Sequence, residues 1–314
     1  METMAAYASL VTPANGIAAL LALAPYLWAA FFPQSAAAGV CALPRLAQLL
    51  SPALLCLPYL LVSLGAGNFR WGWFAVYLAL PVAIAALLAP PSLPAPSARE
   101  AAGSSAPRHG WRAFPGRELL VLAILGLSVD LRWFEGAWPA HLAVFNKILL
   151  LDAGIYAFVL LRQLEGTGFD LRLRRADIAI GLREAAFYTP IALALGLAVG
   201  FLHLHRSWPG LAPIAGAWIF TFFFIAVPEE LFFRGWLQNL LESRIGRTPA
   251  LFVTAALFGL AHFNKRAAQF NWRYVLLAAL AGLFYGRAWR RNRRVAASAV
   301  THATVDALWS LWLR

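Results

Sequence analysis

Leu211-Ala-Pro-Ile-Ala-Gly-Ala-Trp-Ile-Phe-Thr-Phe-Phe-Phe-Ile-Ala-Val-Pro228 runs without a charge, and Glu229-Glu230-Leu-Phe-Phe-Arg234 follows it at once. The uncharged run approaches the length of about 20 apolar residues that a helix needs to cross a bilayer. Two carboxylates and a guanidinium at its end are costly, because hydrocarbon solvates ions poorly; ionisable residues kept at such depth mark a functional site. The rest of the chain repeats the apolar theme. Of its 314 residues 61% are hydrophobic and 13% charged, and the mean hydropathy is +0.67. A soluble domain is nearer half apolar and a quarter charged, so the composition implies an all-α, polytopic integral membrane protein.

By the same length rule, spans are expected at residues 8–32, 46–66, 71–90, 119–136, 147–161, 185–203, 211–232, 249–263, 273–289 and 295–312, about 8–10 transmembrane helices in all. The stretch from Leu119 contains Asp130, Arg132 and Glu135, read as an ion-paired helix end facing protein. Between Pro90 and Arg117 the sequence becomes rich in Pro, Ser and Ala, too poor in apolar side chains to order itself. This divides the chain into accessory helices (1–90), a linker (91–117) and a longer part (118–314) that holds all the chemistry-bearing residues. The first apolar stretch lacks the basic flank of a cleavable signal peptide and is expected to be a retained helix. Cys41 and Cys56 cannot make a disulfide framework.

The net charge is +12. Its basic residues cluster between apolar spans, which fits membrane orientation and not a nucleic-acid face. With ten spans, alternate loops carry most of them: Arg45; Arg99 to Arg117; Arg162 to Arg183; Arg244 and Arg247; and Arg287 to Arg294. The positive-inside rule places these loops in the cytoplasm and both termini outside. One such loop, Phe169-Asp-Leu-Arg-Leu-Arg-Arg175, alternates apolar and charged residues. It is expected to be a short interfacial strand or helix meeting anionic headgroups, or else a solvated loop.

Two later apolar segments each carry a histidine with a partner four residues away, Phe258-Gly-Leu-Ala-His262 and His302-Ala-Thr-Val-Asp306. At about 1.5 Å rise per residue, Glu229 and His262 each lie about 22 Å from the cytoplasmic arginines, and His302 and Asp306 about 12 and 18 Å. Four polar groups on three helices thus occupy overlapping depths, as one shared polar cavity requires. Glu229 and Glu230 are about 100° apart around a helix, so both cannot point into a narrow cavity. Glu230 faces Arg234 at i,i+4, a brace that leaves Glu229 to the histidines. Asp306, one turn from His302, is placed to accept its hydrogen bond and fix its tautomer. A carboxylate withdrawn from water is a stronger base near neutral pH. Glu229 with His262 is suited to activate water against an amide carbonyl, and His302 with Asp306 to stabilise or orient the oxyanion.

Glu-Glu-x-x-x-Arg, Phe-x-x-x-His and His-x-x-x-Asp, in this order on successive helices, resemble the CAAX protease and bacteriocin-processing (CPBP, or ABI) family of intramembrane endopeptidases, which includes the Ras-converting CAAX endopeptidases. The resemblance covers Ala212 to Leu313 in detail and implies a conical polar cavity in the C-terminal bundle. It also implies that Glu229 and His262 activate the water, that His302 and Asp306 form the oxyanion site, and that Glu230, Arg234 and Phe258 support them. The last position is often Asn in that family; an ionised Asp306 would repel an oxyanion, so it either carries a proton or serves by orienting His302.

No cofactor is implied by this reading. The nearest rival is a zinc-dependent form of the same protease, with Glu229, His262 and His302 as ligands, although no His-Glu-x-x-His is present. A Gly-x-Ser-x-Gly elbow is also absent. A non-catalytic scaffold or bacteriocin-immunity protein would need neither both histidines nor Glu229. A proton-coupled transporter would show repeated halves, and no internal repeat is visible. The expected partners are the lipid bilayer and a membrane-associated protein or peptide substrate, in a bacterial cell membrane.

Overall fold

The computed structural model describes residues 12–90, 115–139, 141–205, 208, 210–265 and 269–313. Among them there is no strand, and helices follow one another along the whole chain. Two compact units divide it, Met1–Gln163 and Leu164–Arg314. Of the linker expected at 91–117, all but residues 115–117 lie outside the described residues, as do Arg99, Arg108, Arg112, Arg206, Arg266 and Arg314.

In the first unit the helices are α1 (Pro13–Phe31), α2 (Pro33–Ala42), α3 (Arg45–Gly65), α4 (Trp71–Leu88), α5 (Pro115–Asp130) and α6 (Val144–Leu161). In the second they are α7 (Arg175–Ala198), α8 (Leu211–Ile245), α9 (Arg247–Leu260), α10 (Trp272–Asn292) and α11 (Val295–Trp312). Every apolar stretch read from the sequence contains a helix. Six of them, α1, α3, α4, α6, α7 and α8, are long and apolar enough to cross a membrane. The protein is therefore an integral, multi-pass membrane protein. The other four differ for physical reasons. α5 and α9 have 16 and 14 residues. α10 ends in arginines, and α11 is buried without a break from Val295 to Ala303, so neither needs a lipid-facing hydropathy all round.

The first unit is held by an aromatic cluster. Tyr59 stacks on Tyr77 and meets Trp138 edge-on. The Trp138 indole N–H donates to the Tyr77 hydroxyl, which donates to Asn146, so the buried polar atoms are satisfied in series. At the end of α5, Arg132 and Glu135 do pair, at 3.9 Å, but both are exposed and the pair does not face protein.

The second unit is built around α11. Small residues set its spacings, as is usual where helices meet in a membrane. A Cβ on Gly181 would lie 2.5 Å from the Val300 side chain, and one on Gly259 would lie 2.5 Å from the Val275 carbonyl oxygen. Backbones at these points are in contact, which only glycine permits. At one end of the unit the arginines between residues 287 and 294 meet acids of the segment before α7, of α7 and of the end of α8. Arg290 and Arg293 bind Glu242, Arg287 binds Glu184, and Arg294 binds Asp177 at 3.0 Å and Asp170 at 3.2 Å. The loops assigned to one membrane face by their charge thus share one end of the unit.

Phe169–Arg175 is neither strand nor helix up to Arg174; α7 begins at Arg175. Its alternation has another cause. Phe169 and Leu171 are buried, while Arg172 and Arg174 point outward. The extended segment is pinned to the α10–α11 corner, where the Val295 N–H donates to the Gly168 carbonyl and Arg294 donates to the carbonyls of Asp170 and Arg172. Gly168 has φ +68°, and a Cβ there would collide with the Arg293 carbonyl. Burial raises the Asp170 carboxyl, but hydrogen bonds from Arg172 and Arg294 and the Arg294 charge outweigh it and hold it down at about 2.

Candidate active site

α8 is continuous but not uniform. Residues 222–226 and 231–238 form π turns on either side of Val227–Glu230. Wider i→i+5 turns of this kind interrupt helices mostly at functional sites. Here they bracket the two glutamates, which differ sharply in setting. Glu230 is fully buried, whereas the Glu229 side chain is 28% exposed.

Glu230 is the centre of a closed polar knot. Arg234 Nη1 donates to its Oε1 at 3.0 Å, His302 Nδ1 donates to the same oxygen at 2.8 Å, and the Ser298 hydroxyl bonds its Oε2. Arg234, itself fully buried, also donates through Nη2 to the Gly282 carbonyl at 3.0 Å. Its guanidinium lies 4.6 Å from the Phe258 ring centroid and 5.4 Å from that of Tyr285. Hydrogen bonds and π faces replace the water such a charge would otherwise need.

His302 is gripped by its surroundings. Its ring stacks on Tyr285 at 4.6 Å and meets the Phe258 edge at 5.7 Å. Glu230, paired with Arg234, accepts from Nδ1, which turns Nε2 to Asp306 Oδ2 at 3.5 Å and Glu229 Oε2 at 4.0 Å. An imidazole has a nitrogen at each side and receives carboxylates on both: Glu230, buried away from the open edge, at Nδ1, and Asp306 with Glu229 at Nε2. The contact between Glu230 and His302 is one that helical geometry alone did not indicate.

His262 sits in the turn just beyond α9, not on the helix. Its Nδ1 is 2.8 Å from the Phe258 carbonyl oxygen, so Nδ1 carries the proton and Nε2 keeps its lone pair. The ring packs at 4.9 Å from both Phe258 and Tyr274. The Phe-x-x-x-His spacing therefore has two uses: the carbonyl four residues back fixes the tautomer, and the ring lies against both histidines and Arg234.

Sequence reasoning missed three neighbours. Ser298 lies one turn before His302 on the same face, a signal legible once Glu230 is known to be buried. Tyr285 had no such signal. Lys265, three residues past His262, brings Nζ to 3.7 Å from Glu229 Oε1, with its side chain 38% exposed. With Asp306 at 29%, Glu229 and Lys265 make the accessible edge of a cluster whose other members are buried. A cavity of about 430 Å³ between α7 and α11, lined by Leu182, Ala185, Leu193, Thr304 and Leu308 among others, is apolar. Thr304 and Leu308 are each two residues, about 200°, from His302 and Asp306, so that cavity is separate from the expected polar one. Glu229, His262 and His302, the alternative zinc set, do not form a group able to hold a metal ion among the described residues.

A buried arginine–glutamate–histidine knot with a carboxylate at its open edge, inside a helical membrane bundle, is the setting in which the comparisons fall. Residues 211–308 match the family described as Type II CAAX prenyl endopeptidase Rce1-like, so the CAAX-protease resemblance carried by the three motifs holds over this region. The likeness is thus to a family of proteases, over these residues. No curated protein and no solved structure matches the chain.

Proposed function

We propose that the protein is an intramembrane endopeptidase that hydrolyses a peptide bond of a membrane-associated protein near the cytoplasmic face of a bacterial cell membrane. The observation that carries this reading is the division of labour between the two glutamates: Glu230 is locked in the knot, and Glu229 stands at the open edge beside His302 Nε2. In this reading residues 118–314 form the catalytic membrane domain and residues 1–90 an accessory unit.

Glu229, assisted by the Nε2 lone pair of His262, takes a proton from water as its oxygen attacks the amide carbon. The carbonyl electron pair moves to oxygen, and the oxyanion is met from the His302 side. As the C–N bond breaks, the proton held by Glu229 passes to the departing nitrogen. Asp306 and Glu230 hold His302, and Arg234, Phe258 and Ser298 hold Glu230 and the rings. A positioned general base contributes on the order of 10²–10⁴ in rate, and one oxyanion donor about 10²–10³.

The test compares the membrane proteome of cells carrying the wild-type protein with that of cells carrying Glu229→Ala or His262→Ala. A protein truncated only by the wild type, with both variants folded in detergent, is the expected result. Normal processing by either variant would sink the mechanism.

A further inference from the structure

If Glu229 draws the proton from water, negative charge appears on the carbonyl oxygen a bond away. That oxygen needs donors. His302 has committed Nδ1 to Glu230 and offers only Nε2, which also faces two carboxyl groups at 3.5 and 4.0 Å. Arg234 is fully buried. Among the described residues at the open edge, Lys265 is a second donor beside His302.

We infer that Lys265 is a catalytic residue, whose ammonium donates to the oxyanion formed as Glu229-activated water attacks the substrate carbonyl. The inference rests on the proposed hydrolase reading. Its geometry is that of two donors flanking one carboxylate. Lys265 Nζ stands 3.7 Å from Glu229 Oε1, and His302 Nε2 stands 4.0 Å from Oε2. Both separations exceed a hydrogen bond, so the Lys265 ion pair and the His302 contact each leave the donor able to bond another acceptor that approaches Glu229. The partly exposed Lys265–Glu229 pair adds little to stability, so it has no structural task that would keep the ammonium in place.

Charge supports the same assignment. Three carboxyl groups, Glu229, Glu230 and Asp306, share the site with Arg234, His302 and Lys265. Without Lys265 the open edge would carry two carboxylates and no fixed cation, and an added oxyanion would be repelled. The covalent changes are those of the hydrolysis itself. Water adds to carbon, its proton goes to Glu229, and the oxyanion accepts a hydrogen bond from Nζ without taking a proton. Collapse to the acid then releases the Lys265 contact and expels the amine with the proton from Glu229.

The test uses the full-length protein in detergent with a pooled library of quenched-fluorescent peptides, half carrying a prenylated cysteine. Wild type and Glu229→Ala come first; equal rates would overturn the hydrolase reading and this inference with it. Given a Glu229-dependent rate, Lys265→Met is expected to lower kcat by about 10²–10³ with KM changed less than about threefold, the loss typical of one oxyanion donor. Lys265→Arg should recover most of that loss. Asp306→Asn added to Lys265→Met should return at least about tenfold, because the amide supplies a neutral donor at the same edge. Wild-type kcat in Lys265→Met overturns the inference. So do equal losses in Met and Arg variants of unchanged thermal stability, or no gain from Asp306→Asn.

Discussion

Glu229→Gln and Glu230→Gln are isosteric changes at adjacent residues, and the structure assigns them opposite signatures. Glu230 is fully buried and receives Arg234 at 3.0 Å, His302 at 2.8 Å and the Ser298 hydroxyl. A glutamine there keeps one acceptor oxygen but turns an N–H₂ toward groups that are themselves donors. The buried Arg234 guanidinium loses its counter-charge and keeps only the Gly282 carbonyl and its aromatic faces. Breaking a buried pair in this one-sided way costs about 3–5 kcal/mol. At roughly 2–3 °C per kcal/mol for a chain of this size, Glu230→Gln should lower the unfolding midpoint by about 6–15 °C. Glu229 is 28% exposed and its nearest cations stand at 3.7 and 4.0 Å, so Glu229→Gln should move the midpoint by less than about 2 °C, as loosely held pairs do. Thermal unfolding in detergent followed by intrinsic tryptophan fluorescence separates the two. Equal shifts, or a larger one for Glu229→Gln, would refute the division of the pair into a locked and a working member.

Gly259→Ala places a Cβ 2.5 Å from the Val275 carbonyl oxygen and 2.7 Å from the Ala279 Cβ, so α9 and α10 must part; a loss of about 1–3 kcal/mol is expected in the same melt, and an unchanged midpoint would contradict the close packing. Asp170 is held down at about 2 in the folded protein against an ordinary 3.8. Because the folded value is the lower one, its contribution of about 2 kcal/mol is present above about pH 4 and is lost as the pH falls toward 2. Asp170→Asn should flatten the stability profile across that window, and a profile unaltered by the substitution would show that Arg294 and Arg172 do not act through this carboxylate. For the metal-free reading, treatment with 1,10-phenanthroline should leave Glu229-dependent cleavage unchanged, and loss of activity restored by added zinc would favour the zinc form.

The helices were legible because hydrocarbon imposes a length and an apolarity that few other structures need. The three motifs were legible because charge at that depth is expensive. What escaped was the fine geometry around them. Wound at 3.6 residues per turn, α8 cannot reveal that residues 222–226 and 231–238 widen into π turns, since the periodicity carries no sign of an i→i+5 turn and Gly235, within the second stretch, does not by itself announce one. The 100° argument separates Glu229 from Glu230 but does not show that both reach His302, because angular reasoning about one helix takes no account of an imidazole on another with a nitrogen at each side. Lys265 escaped for a related reason. It lies in a loop beyond α9, and loop residues have no periodicity from which a direction could be read. The alternation of Phe169 to Arg175 left an interfacial strand or helix and a solvated loop equally open; the segment is neither strand nor helix up to Arg174, with Phe169 and Leu171 buried and Leu173 exposed, a placement that loop residues do not announce.

Arg294 immediately precedes α11 and is bound to two carboxylates and two carbonyls of the segment that leads into α7. It acts as a depth stop. His302 lies eight residues further along, and a slip of α11 by one residue would carry it about 1.5 Å along the axis and about 100° around it, away from Glu230. The register of the site is thus measured from the charged end of the unit, and a change of length or packing at Trp312 leaves it where Arg294 sets it.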